Sequence, residues 1–254
     1  PMLGQINQKL EEKGYLVGLL AKELKVKAAD ILDFDLFLYE YEKGSLIGAR
    51  EEFISAGRID NLGSVLASVS ALCEVKKPAA TCVVAAFDHE ECGSSTRQGA
   101  DSEILAELLE RVVIATGGGR SDYFRALARS FIVSCHGAHA VHPNMGGKAD
   151  PTSRPMLNGG VVIKLSANRS YTSDAVSGAA FMQVCEKAGV RVQRFVNRSD
   201  MRGGSTIGPI SSTHVGIASV DVGIPMLAMH SIRELCGVED NMSMFKALLE
   251  FYNC

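Results

Sequence analysis

Apolar and polar positions change period several times along the chain, and each change marks an element. Between residues 5 and 25, Ile6, Leu10, Leu16, Leu19, Leu20 and Leu24 recur at helical spacing around Gly14, which predicts one or two helices. Residues 31–41 alternate and are rich in Phe, Leu and Tyr, which predicts a strand. Gly44-Ser45 then turns the chain into Leu46-Ile47-Gly48 as its hairpin partner. From Asp60 a helix is predicted to about Leu72, with Asp60 or Asn61 near its N-cap. Ala79 to Ala86 is a nearly unbroken apolar run closed by polar residues and glycine, the pattern of a buried strand.

Further along, helical spacing covers 102–115, 121–128, 173–187 and about 241–251. Strands are predicted at 131–135, 161–165, 192–197, 217–222 and 226–229. Gly117-Gly118-Gly119 lacks the spacing of a phosphate loop and reads as a turn, while 145–160, with its Gly and Pro, reads as a loop. A glycine-rich turn, 203–209, precedes a short segment ending near His214. Strands and helices alternate from residue 54 onward. That order predicts an α/β fold, a mixed sheet with helices on both faces.

Such sheets place ligands beyond the carboxyl ends of their strands. The strand at 79–86 ends in Phe87-Asp88-His89-Glu90-Glu91-Cys92-Gly93-Ser94-Ser95, four ionisable side chains in succession. Two adjacent carboxylates point in different directions, so one can hold a metal while the other handles a proton. Taken alone, Glu90-Glu91 reads rather as a solvated acidic turn. Partners from other strand ends change that: Asp60, His136 and His230 bring oxygen and imidazole donors without thiolates. That set suits zinc, manganese or cobalt in a catalytic site and reads as a metal hydrolase.

Composition removes other classes. The 254 residues carry a net charge of −3 with both signs interspersed, against the clustered Lys and Arg of a nucleic-acid binder. No apolar run approaches a membrane span, and no signal peptide is visible in the first residues. Seven scattered cysteines without a C-x-x-C pair suit a reducing cytoplasm, with Cys92 expected to pack in its loop.

At the same positions the chain resembles a known family. Arg58-Ile59-Asp60-Asn61-Leu62, Asp88-His89-Glu90-Glu91-Cys92-Gly93-Ser94, His139-Ala140-Val141-His142-Pro143-Asn144, Ser205-Thr206-Ile207-Gly208-Pro209 and Met229-His230-Ser231-Ile232-Arg233-Glu234 resemble aspartyl aminopeptidases, dinuclear zinc exopeptidases that remove acidic N-terminal residues. The resemblance implies a zinc-exopeptidase fold over 54–254, preceded by the remnant of a β-rich dimerisation domain over 1–53. It implies that Asp60 bridges two zinc ions, that Glu90 is the general base, and that Glu91 and His230 bind one ion. Lys164, inside the apolar strand 161–165, matches a lysine that meets the acidic side chain of the substrate; the residues alone read equally as a sheet-edge lysine reaching water. His139 and His142 are expected to orient neighbouring groups, and His89 and His214 to be structural.

Two departures stand out. His136 occupies the position where the family places an aspartate ligand of the second metal. The family's N-terminal histidine ligand has no counterpart in residues 1–56, so the chain reads as the C-terminal portion of a longer protein. The expected partners are peptides with acidic N-termini and further copies of the chain in a homo-oligomer, without nucleic acid or membrane. The rival expectation is a catalytically impaired subunit that keeps the fold and assembles.

Overall fold

The computed structural model describes residues 14–254, which fall into two units, 14–39 and 40–254. In the first, Gly14 at φ +80° opens helix α1, Tyr15–Leu24, which ends on Lys25 in the left-handed region. The helical positions expected at Ile6 and Leu10 lie outside the described residues. The strand expected over 31–41 is not formed. Leu32, Phe37 and Leu38 stand 95%, 84% and 82% exposed, so their alternation has no sheet to face.

In the second unit the hairpin is made with a different partner. Ser45–Ile47 (β1) pairs antiparallel with Phe53–Ala56 (β2). Helix α2, Ile59–Glu74, follows. Its first turn is irregular at Asp60 and Asn61, which are joined by a cis peptide, so regular helix begins after them. Next come α3 (Ile104–Ala115), α4 (Arg120–Ala128), β3 (Phe131–His139), β4 (Val161–Leu165), α5 (Ala175–Lys187) and β5 (Val192–Val196). The chain closes with α6 (Ile207–Val215), β6 (Ala218–Leu227), β7 (Glu234–Gly237) and α7 (Val238–Asn253).

Among the described residues the sheet has seven strands and is built on β6. Strand β3 runs parallel to it from Phe131↔Ala218 to His139↔Met226. The opposite edge is shared: β4 pairs at Val222 and Gly223, β7 at Met226 and Leu227, both antiparallel. The two strands expected at 217–222 and 226–229 are therefore one. Neither β4 nor β7 has a registered partner at Ile224 or Pro225, so the donor that proline lacks falls between two ladders.

Alternation along these strands separates two interiors. Val220, Val222, Ile224 and Met226 face one side with Val161 and Ile163, and pack against Ala67 and Ala71 of α2, Phe181 of α5 and Leu248 of α7. Full burial of each large side chain there contributes about 1.5–3 kcal/mol. The other face carries Ser134, His136, Asp221 and Lys164, all at most 6% exposed, beside the smaller apolar group Ala138, Val162, Tyr171 and Phe195.

The apolar run 79–86 corrects a second expectation. It is not a strand of the sheet; Cys82 and Val84 lean on the main core while Val83 stands 48% exposed. Its composition is that of a strand, but among the described residues nothing pairs with it. Among the described residues, no helix is long and apolar enough to cross a membrane.

Candidate metal centre

Strands β2, β3 and β6 run in the same direction, because β7 is antiparallel to both β2 and β6. Asp60 just beyond β2, Gly137 near the end of β3 and His230 just beyond β6 consequently meet at one edge of the sheet. The left-handed backbone of Ala228 (φ +55°) and His230 (φ +67°) turns the chain sharply there. One ligand atom from each of Asp60, Glu91 and His230 lies within 4.8 Å of the other two. His230 Nε2 is 3.1 Å from Glu91 Oε1 and 3.4 Å from Asp60 Oδ2. Two carboxylates and an imidazole at this spacing are a donor set that fits zinc.

The backbone around the ligands is clamped. Glu234, 2% exposed at the head of β7, accepts from Asp60 N through Oε2 (3.0 Å) and from His230 N through Oε1 (2.7 Å). Gly137 N donates to Asp60 Oδ1 (3.0 Å), and Asn61 Nδ2 donates to the Cys135 carbonyl (3.0 Å). A side chain at 137 would run into the sulfur of Met226 and approach Asp60 Cγ within 3.2 Å, so the close approach of Asp60 to β3 requires glycine. Glu234 carries no role in the sequence reading. Its signal there is its place at the end of the motif 229–234, where a carboxylate opens an apolar run.

Glu90 and Glu91 sit in a tight loop after 79–86. Ser94 N donates to His89 O (2.9 Å), Gly93 N to Glu90 O (3.0 Å) and Asp88 N to Gln98 O (3.1 Å). Desolvation pushes Glu90 above the usual carboxylate range, followed by the negative charges of Glu91 and Asp60; Lys164 and His230 pull it back. Partial desolvation also raises Glu91, with His230 opposing. Both effects come first from the burial of the carboxylates, with neighbouring anions adding to it.

Lys164 is 6% exposed, donates to the Gly137 carbonyl (2.9 Å) and lies 4.8 Å from the centre of the Tyr171 ring. Burial lowers it, while Asp221, Asp60 and Glu90 hold its charge. His136 is placed elsewhere. It lies inside β3 rather than past its end, and alternation turns it to the face opposite the one Gly137 presents to Asp60. Its Nε2 meets Ser134 Oγ (2.9 Å) and lies 3.8 Å from Asp221 Oδ1, and burial lowers it to about 3. His136 is thus not brought into the cluster of Asp60, Glu91 and His230. The His139 ring lies tilted against Phe195 (centroids 5.9 Å apart), and His142 Nδ1 accepts from Asn144 N (3.2 Å). His89 meets Thr96, and His214 lies between Asp101 and Glu103.

A profile of the aminopeptidase I zinc metalloprotease (M18) family matches residues 4–252. The chain belongs to this family. A probable M18 family aminopeptidase 2 of Clostridium novyi (strain NT) is 59% identical over 253 residues, all of this chain and 58% of that protein. The chain therefore spans little more than half the length of this M18 relative. The cryo-EM structure of the Ape4 and Nbr1 complex contains a chain 36% identical with a TM-score of 0.88, covering 99% of this chain and 50% of that one. The M18 aminopeptidase of Saccharomyces cerevisiae known as mApe1, solved as a dodecamer, is 27% identical with a TM-score of 0.82, covering 99% and 59%. Zinc is thus the family's metal, and Asp60, Glu91 and His230 are this chain's fitting donors.

Proposed function

We propose that this chain is the catalytic portion of a zinc aminopeptidase that removes Asp or Glu from the N-termini of peptides. The observation that carries the reading is the convergence of Asp60, Glu91 and His230 beside a partly desolvated Glu90. Zinc, when bound, supplies positive charge that polarises a carbonyl and acidifies a water. Glu90, raised toward neutrality, takes a proton from the attacking water at its carboxylate and hands it to the departing amine. Lys164 meets the carboxylate of the first residue, and its buried setting strengthens that pairing while excluding water.

The rest of the machinery holds these groups still. Glu234 fixes the backbone of both Asp60 and His230, and Gly137 N orients Asp60. Residues 1–53 we assign to the C-terminal remnant of a dimerisation domain and 54–254 to the catalytic domain, working in a cytoplasmic homo-oligomer. Glu90→Gln keeps the shape and removes proton acceptance. In the active assembly, zinc content is expected to persist while kcat falls at least ~10²-fold; normal turnover by the variant would exclude Glu90 as the base.

A second reading, assembly without efficient turnover, is favoured by His136 facing Asp221 instead of the metal cluster. Turnover of acidic peptides by the zinc-loaded chain, measured beside a Glu90→Gln control, separates the two.

A further inference from the structure

A cavity of about 320 Å³ begins beside the metal site, at His139, Met226 and Ala228, and extends to Lys148, Arg198 and Arg202. A second cavity of about 1120 Å³, lined also by Arg169 and Arg194, shares Arg198 and Arg202 with the first. The two form a continuous path leading away from the metal cluster. Its floor is partly apolar, from Phe195 and Pro155 in the first cavity to Leu165 and Met182 in the second.

The charge along this path is unbalanced in a chain whose net charge is −3. Arg198 is neutralised by Asp200, with two contacts of 2.6 Å. Lys148, Arg194 and Arg202 form no ion pair among the described residues. The side-chain contact recorded for Arg194 is to the Met182 sulfur, at 3.6 Å. Asp150, in the first cavity, accepts from Thr152 and Ser153 and faces Arg154, and Asp174, in the second, accepts from Ser177 and faces Arg169, so both carboxylates keep their charge opposite cations other than these three. Cations without carboxylate partners, spaced along an apolar-floored channel, complement a flexible polyanion with hydrophobic backbone stretches. An acidic peptide has that chemistry.

We propose that this path binds the downstream part of the substrate peptide and selects chains that carry further carboxylates several residues after the scissile bond. The inference rests on the aminopeptidase reading above: the first residue is held at Lys164, so the remainder of the peptide must leave through open space. An extended peptide advances about 3.3 Å per residue, so a decapeptide spans about 30 Å. Selection then acts at two places, on the first residue at Lys164 and on the tail at Arg202 and its neighbours.

The test is equilibrium binding to the 254-residue protein in the presence of chelator, so that nothing is cleaved. Two decapeptides share Asp-Ala-Ala at the start; one carries glutamates downstream and the other glutamines, each with a fluorophore at its C-terminus. At low salt the glutamate peptide is expected to bind roughly three- to tenfold more tightly, the scale of two or three partly exposed ion pairs. In Arg194→Gln/Arg202→Gln that difference should close, while circular dichroism reports the fold unchanged. Equal binding of both peptides by the unmodified protein overturns the proposal, as does a difference that survives in the double variant. Tighter binding of a single-stranded RNA of matched charge would also overturn it, by assigning the path to a different polyanion. Replacing the first Asp by Asn probes Lys164 separately, so failure of the tail preference and failure of the acidic N-terminal preference are distinguishable.

Discussion

Glu234 accepts from the main chain of two candidate metal ligands that sequence places far apart, and it is buried while doing so. Glu234→Ala removes the acceptor of two part-buried N–H groups, each loss costing about 1–2 kcal/mol. The expected result is a loss of about 2–4 kcal/mol in urea unfolding and a 10–100-fold weaker zinc affinity by calorimetric titration, the scale seen when groups behind metal ligands are removed. Unchanged affinity would show that the ligands hold their places without it. Lys164 is a different kind of position. Lys164→Met keeps an apolar stem and removes the charge, so kcat/KM for Asp-terminated peptides should fall at least ~10-fold further than for Ala-terminated ones. An equal loss on both would make Lys164 a packing residue.

At the scale of elements, one carboxylate joins the loop before β4 to helix α7. Asp240 accepts from Asn158 N (2.6 Å) and Gly160 N (2.8 Å), and burial pushes it up from 3.8 to about 6 despite those donors. The folded chain therefore keeps a proton that the unfolded chain has released between about pH 4 and 6. That contribution to stability is full below about pH 4 and lost as pH rises through about 6. The stability gap between the unmodified protein and Asp240→Asn should widen as pH falls across this window, by roughly 2–3 kcal/mol. Urea titrations at both ends check it, and a constant gap would mean that Asp240 does not titrate there.

Elements were legible in sequence wherever one face met a partner inside the chain. The strand at 161–165 and the helix at 173–187 emerge with nearly their expected bounds, because apolar period and burial coincide and Asp174 caps its helix through Ser177. Residues 31–41 and 79–86 carry strand composition without a pairing edge, and period alone cannot report a missing neighbour. Pro225 made one long strand look like two, since only the three-dimensional register shows that no ladder needs its donor. Among site residues, the three motifs that contain Asp60, Glu91 and His230 could be read, and these three residues converge. The orientation of His136 could not, because it depends on where β3 ends: a strand four residues shorter, ending at Cys135 as the sequence predicts, would have freed it from alternation.

For the whole molecule these placements bear on metal content. One cluster of three protein ligands suffices for a catalytic zinc with water in the remaining position. His136 is committed to Ser134 and Asp221 on the opposite face of β3. Metal analysis after dialysis is therefore expected to find one tightly held zinc per chain; two retained equivalents would require His136 or another donor to swing into a second site.

The Glu234 clasp grips main chain and leaves the ligating atoms themselves free. Removal of the ion should therefore leave the coordination frame standing, unlike small zinc modules whose chain collapses without metal. Recapture of zinc by the stripped protein would then be a single fast phase whose rate rises linearly with ion concentration, with no slow step for reorganising the chain. In a stopped-flow record, the apo protein would behave as a socket waiting for its plug.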